Sequence, residues 1–340
     1  LPVEKAYNLN DTVVVTGKAV SYAGANIDGA EVKYTVRRVA QFPVWCWWGW
    51  RKPWFPQSSE KIIATGNAVT DSEGKFDIRF QAMPDLTIDQ TMKPYFNYEI
   101  TADVVDINGE THSANTTVRV GYLAIDAEVS VAEAIKNTKE NTIRVSTNNL
   151  NGQPEPTAVT IKIFRLKTPD YPKKKRDWNE PDQFVMTKEE HEKWFPYDVY
   201  DKEDLMSNWT KGSLVKTYAF NTKDQQQVVL PAGELAGGAY LLEFSCKDKN
   251  GNEINISKNF IALSEDEQKP VTPVFVDFSM NKSTVKPGET LEYTVASSLQ
   301  DVRVMIEIAY KGKLIDKQFV RLQNEIKSFR LPVSEDYLGG

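Results

Sequence analysis

Val32-Lys33-Tyr34-Thr35-Val36-Arg37 places apolar side chains at every second position with polar ones between, so one face meets a core and the other meets water. That is the period of a strand, and it returns at 61–70, 75–80, 95–105 and 112–120. Upstream, Thr12-Val13-Val14-Val15-Thr16-Gly17-Lys18-Ala19-Val20 is short and β-branched, and it leads into a turn bearing Gly24 and Gly29. Asp71-Ser72-Glu73-Gly74 and Asp106-Ile107-Asn108-Gly109 punctuate the runs. Asn-Gly between two alternating runs marks a hairpin, because both residues tolerate positive φ. Six or seven strands in about 120 residues, with no helical period, predict an antiparallel sandwich.

The next stretch repeats the plan. A strand at 142–147 leads to Asn151-Gly152-Gln153-Pro154, after which Val159, Ile161 and Ile163 alternate up to Arg165. Runs at 240–248 and 253–263, joined by Asn250-Gly251, repeat the closing hairpin of the first module. Ser264-Glu265-Asp266-Glu267-Gln268-Lys269-Pro270 is polar, charged and ends in proline, which reads as a linker. Strands at 274–280, 290–297, 302–310, 317–323 and 328–332 make a third, smaller module. Its last strand is expected to be missing or supplied by residues further along the polypeptide. The chain therefore reads as all-β tandem sandwiches at 1–121, 122–267 and 268–340.

The second module carries an insertion at 168–212. Thr187-Lys188-Glu189-Glu190 is a capping box that opens a short helix towards Trp194. From Arg165 to Gly212 there are ten basic and eleven acidic residues, so the run Lys173-Lys174-Lys175-Arg176 reads as a solvated loop before an anion site. Tyr171, Trp178, Phe184, Trp194, Phe195, Tyr197, Tyr200 and Trp209 are many aromatics for a free loop. Burying each would stabilise by ~1.5–3 kcal/mol, so the insertion is expected to pack as a satellite core against a sheet.

Composition and chemistry remove several function classes. The chain has 340 residues, 41% hydrophobic and 26% charged, ordinary for soluble globular proteins and enough for several small cores. Its net charge of −6 supplies no positive field for nucleic acid or an anionic membrane. No apolar run approaches the ~18–20 residues that cross a bilayer. Leu1-Pro2-Val3 is neither an initiator start nor a signal peptide, so the chain reads as trimmed from something longer. Cys46 and Cys246 fall in different modules and are expected to be unpaired. His112 and His191 stand alone, and the motif that begins His191-Glu192 ends at Phe195 where a second histidine is needed, so no zinc site is expected. No nucleophile elbow, phosphate loop or dinucleotide fingerprint occurs, so no catalysis, cofactor or metal is expected.

Between the second and third strands, hairpin 40–57 holds five of the eight tryptophans. Trp45, Trp47, Trp48, Trp50, Trp54 and Phe55 form a candidate interaction surface, since such a loop in water would expose an apolar patch of a size that marks contact. Three readings stay open: an interdomain or partner contact, a cluster folded on its own module, and a sugar-stacking or membrane-interface site. Arg51 and Lys52 suit each through cation–π stacking.

Leu9-Asn10-Asp11-Thr12-Val13-Val14-Val15-Thr16-Gly17-Lys18-Ala19, followed by Ile27-Asp28-Gly29-Ala30-Glu31-Val32-Lys33-Tyr34, resembles the macroglobulin-like sandwich domains of bacterial alpha-2-macroglobulin family proteins. Thr70-Asp71-Ser72-Glu73-Gly74-Lys75-Phe76, Asp106-Ile107-Asn108-Gly109-Glu110-Thr111, Asn149-Leu150-Asn151-Gly152-Gln153-Pro154 and Val285-Lys286-Pro287-Gly288-Glu289-Thr290 extend the likeness over nearly the whole chain. The resemblance implies immunoglobulin- or fibronectin-like sandwiches from a protease trap, in which a bait segment is cut and an internal thioester captures the protease. The thioester motif C-x-E-Q is absent here: Cys46 precedes Trp47-Trp48-Gly49 and Cys246 precedes Lys247-Asp248-Lys249. The fragment is then scaffold, and its partners are other domains of the parent chain and, through the whole protein, target proteases. A monomer is expected, exported to the periplasm or anchored in the outer membrane. The rival reading is a cell-surface adhesin or glycan-binding array using the Trp-rich loop, since fold does not fix function. A receptor ectodomain, with N-x-[ST] acceptors at Asn10, Asn115, Asn208, Asn255 and Asn281, is a third.

Overall fold

The computed structural model describes residues 1, 5–21, 24–42, 60–105, 109, 111–177, 183–264 and 268–337. Strands dominate, and they sort into three groups of facing sheets, each around its own cluster of buried side chains.

The first group pairs β1 (Thr12–Lys18) with β4 (Lys75–Gln81). Facing it is the four-stranded order β3-β2-β5-β6, built from β2 (Glu31–Gln41), β3 (Lys61–Val69), β5 (Tyr95–Val105) and β6 (Thr111–Gly121). Alternation does what the sequence implies: Val13, Val15, Val32, Val36, Phe96, Tyr98 and Ile100 point inward and are buried. The turn before β4 needs its glycine. Gly74 sits at φ 73°, and a Cβ there would run into the Ala19 carbonyl oxygen.

Arg38 also falls on the inward register of β2. Its guanidinium meets Asp85 at 2.8 Å and donates to the carbonyls of Met83 and Pro84, while Tyr98 Oη donates to the same Met83 carbonyl at 2.9 Å. The two charged side chains are 8% and 9% exposed, so the end of this core is closed by an ion pair.

The second group sets β7 (Ile125–Ser130), β9 (Asn141–Asn149) and β12 (Gln227–Leu230) against the order β11-β10-β13-β14-β8. The latter comprises β8 (Ala134–Lys136), β10 (Ala158–Lys167), β11 (Thr210–Asn221), β13 (Gly238–Lys247) and β14 (Glu253–Leu263). Ile143, Ile161, Ile163, Leu242, Phe244 and Phe260 fill the space between the layers. Among the described strands, pairing departs from the antiparallel expectation where β14 runs parallel to β8, with Ile261 opposite Ala134. A strand that enters from the facing sheet can dock on an edge in either direction, and its local sequence carries no mark of which.

The third group sets β15 (Asp277–Met280), β16 (Thr290–Ser297) and β19 (Glu325–Pro332) against the hairpin β17 (Val302–Tyr310) and β18 (Lys313–Leu322). Its buried cluster is small: Tyr293, Val295, Val320 and Leu322. All three groups are two-layer β-sandwiches.

Candidate functional site

The six aromatic residues proposed as an interaction surface, Trp45, Trp47, Trp48, Trp50, Trp54 and Phe55, lie outside the described residues. Two other places gather chemistry: the junction between the first two sandwiches, and the insertion.

The junction is built on the turn between β13 and β14. Asp248 Oδ1 accepts the backbone N–H groups of Asn250 at 2.9 Å and Asn252 at 2.8 Å, which fixes the turn as an Asx-type loop. Its other oxygen, Oδ2, accepts the Ala124 N–H at 3.1 Å, on the segment joining β6 to β7. Burial works to raise the Asp248 carboxyl, but the Asn252 side chain and three backbone N–H groups outweigh it and hold the group below the usual carboxylate range. Asn252 Nδ2 donates to the Tyr122 carbonyl, and Asn250 Nδ2 reaches Asn8 Oδ1 at 3.1 Å. From the β9–β10 loop, Asn151 Oδ1 accepts the Arg119 N–H at 2.8 Å and its Nδ2 donates to the Arg119 carbonyl. Two asparagine-rich loops of one sandwich thus clasp the last strand and exit segment of the other. Asn-Gly in both loops signalled turns in the sequence; nothing signalled their reach across the junction.

The insertion differs from its expectation. Helix α1 (Lys188–Trp194) forms with both capping-box bonds, Thr187 N–H to Glu190 at 3.1 Å and Glu190 N–H to Thr187 at 3.2 Å. Yet Tyr171, Phe184, Trp194, Phe195 and Tyr197 are exposed, Tyr200 and Trp209 are half-buried and Trp178 lies outside the described residues, so among the described residues no satellite core forms under a sheet. The rings instead pair with one another: Phe184 stacks on Tyr200 at 4.4 Å, and Tyr171 meets Tyr197 edge-on at 5.9 Å. In the basic run Lys174 and Lys175 are exposed, as a solvated loop implies, while its other two members are engaged. Arg176 donates to the Val199 and Tyr200 carbonyls, and Lys173 Nζ to the Pro196 carbonyl at 3.0 Å. Between these strands of chain lies a cavity of about 320 Å³, lined in part by Lys175, Arg176, Phe184, Met186, His191 and Tyr200.

Cys246 is a buried free thiol on β13, whose desolvation pushes it up to about 11; Cys46 lies outside the described residues. Among the described residues no group of three or more His, Cys, Asp or Glu is placed to hold a metal ion, and no helix is long and apolar enough to cross a membrane.

No family model matches the chain, and no curated protein matches it. Solved structures do. The native conformation of E. coli alpha-2-macroglobulin is 10% identical with a TM-score of 0.32, over 99% of this chain and 20% of that one. A point mutant of Salmonella alpha-2-macroglobulin is 11% identical with a TM-score of 0.33, over 98% and 20%. A tetra-tandem repeat from the extending region of a large adhesion protein is 13% identical with a TM-score of 0.25, over 97% and 64%. The chain spans about a fifth of the length of either alpha-2-macroglobulin.

Proposed function

We propose that this chain is a structural scaffold segment of an exported bacterial alpha-2-macroglobulin-like protease trap, setting the spacing of bait and reactive regions carried elsewhere in the parent and performing no reaction itself. The observation that carries the reading is the junction: Asn151 makes directed hydrogen bonds to the Arg119 backbone of the neighbouring sandwich and Asn250 to its Asn8, while Asp248 and Asn252 pin the connecting segment at Ala124 and Tyr122, which holds an orientation as a hydrophobic smear would not. The turn and strand motifs that resemble those of macroglobulin-like domains support the choice of family. The other domains of the parent are the partners, and target proteases are met only through the whole protein.

The test is a spin-label distance between the first and second sandwiches, with a glycan array run on the same protein. A scaffold gives one narrow distance distribution that broadens in an Asp248→Ala/Asn151→Ala variant, and no glycan binding. A distribution already broad in the unaltered chain, or saturable binding to a glycan, would overturn the reading.

A further inference from the structure

Two loops of the second sandwich repeat one turn. In 149–153 and in 248–252 the first side chain, Asn149 or Asp248, accepts through Oδ1 the backbone N–H groups two and four residues further on. The backbones close alike, Gly152 N–H reaching the Asn149 carbonyl at 2.9 Å and Gly251 N–H the Asp248 carbonyl at 3.0 Å. Both glycines are exposed with open space beside them, and each follows an asparagine, Asn151 or Asn250.

An asparagine before glycine can lose its side-chain amide, because no Cβ hinders the glycine nitrogen from reaching the asparagine Cγ. At the second loop, hydroxide takes the Gly251 N–H proton and that nitrogen bonds to Asn250 Cγ. The Cγ–Nδ2 bond breaks, and Nδ2 takes a proton from water and leaves as ammonia. A further water opens the cyclic imide at one carbonyl or the other, giving aspartate or isoaspartate.

Since the two turns match, the difference lies in the side chains. Asn151 is half-buried and held at both ends on the main chain of the first sandwich: Oδ1 accepts the Arg119 N–H at 2.8 Å and Nδ2 donates to the Arg119 carbonyl at 3.3 Å. Swinging its Cγ onto Gly152 N breaks both bonds and opens the junction. Asn250 is exposed and held at one end, by Nδ2 to Asn8 Oδ1, a side chain free to rotate away. We infer that Asn250 is a site of spontaneous deamidation in the folded protein, and that the junction shields Asn151 from the same reaction. Isoaspartate at 250 adds a backbone atom inside the loop, which puts the Asn252 N–H out of step with Asp248 Oδ1 and slackens the hold of the loop on Tyr122 and Ala124. The inference rests on the hydrogen bonds of the junction and stands apart from the scaffold role.

The experiment is incubation of the 340-residue chain in mildly alkaline buffer, folded and in guanidinium chloride, with peptide mapping that separates asparagine, aspartate and isoaspartate. Relative to its own rate in the unfolded chain, Asn250 stays within about threefold on folding while Asn151 slows by about tenfold or more. In the fraction bearing isoaspartate at 250, resolved by ion exchange, the Asn252 and Ala124 amides exchange about tenfold faster than in the unmodified fraction. Equal slowing of the two sites, an Asn250 that survives in the folded chain while the unfolded chain reacts, or unchanged exchange of those amides in the isoaspartate fraction would each overturn it.

Discussion

Asp248 and Ala124 stand 124 residues apart in the chain, and the carboxylate of one accepts the backbone N–H of the other at 3.1 Å. A hairpin turn of the second sandwich is thereby tied to the segment by which the chain leaves the first. The same carboxylate holds its own turn, so one side chain serves both the local loop and the junction.

Replacing Asp248 with Ala leaves buried N–H groups without an acceptor, which costs about 1–3 kcal/mol at neutral pH. Because the folded carboxyl is held below its ordinary value, its contribution is complete above the unfolded value of about 3.9 and is lost as pH falls through the folded one. Urea unfolding of both proteins from pH 7 to pH 2.5 should show the gap closing with acid. A gap that is constant with pH would contradict this account.

The Arg38–Asp85 pair behaves differently, because both members are buried. Arg38→Met alone, or Asp85→Leu alone, strands a charge and should cost ~3–5 kcal/mol. Arg38→Met combined with Asp85→Leu should cost clearly less than the sum of the two. A double-mutant cycle by chemical denaturation measures this, and strict additivity would show the pair to be uncoupled.

Cys246 should be chemically quiet. With the thiol pushed up to about 11, the thiolate at pH 8 is roughly a hundredfold scarcer than in the unfolded chain, and burial blocks access further. Iodoacetamide followed by mass spectrometry of the peptide should label Cys246 only after denaturation. Labelling at equal rates in the folded protein would show the strand to be open.

Separate cores predict separate damage. Leu242→Ala, at a site with 0% exposure in the second sandwich, should cost ~2–5 kcal/mol there. Amide protection at Val32 and Ile100 in the first sandwich should not change. If protection falls throughout, the sandwiches unfold as one unit.

Much of the fold is legible because an exposed sheet face forces period two. The runs at 95–105, 253–263, 290–297 and 302–310 coincide with β5, β14, β16 and β17. Missed were β7, β8 and β12, of six, three and four residues, too short for alternation to stand out, and β11, whose mostly exposed side chains do not alternate with a core. In the insertion, aromatic content suggested burial, but rings that cover each other lower their exposure to water without going beneath a sheet. The junction was the least legible: Asn-Gly fixes a turn locally, while the partner of Asp248 depends on how two sandwiches meet.

The parallel pairing of β8 with β14 has a mechanical consequence. β8 lies near the entry to the second sandwich and β14 is its last strand, held together by the Ile261 N–H to the Glu133 carbonyl and the Asn137 N–H to the Leu263 carbonyl, both 2.8 Å. Tension along the polypeptide drags these two segments lengthwise past each other, so the bonds must rupture together and cannot unzip singly. In optical tweezers the second sandwich should yield at the highest force of the three, and Asn137→Pro, which removes one of those donors, should lower that force.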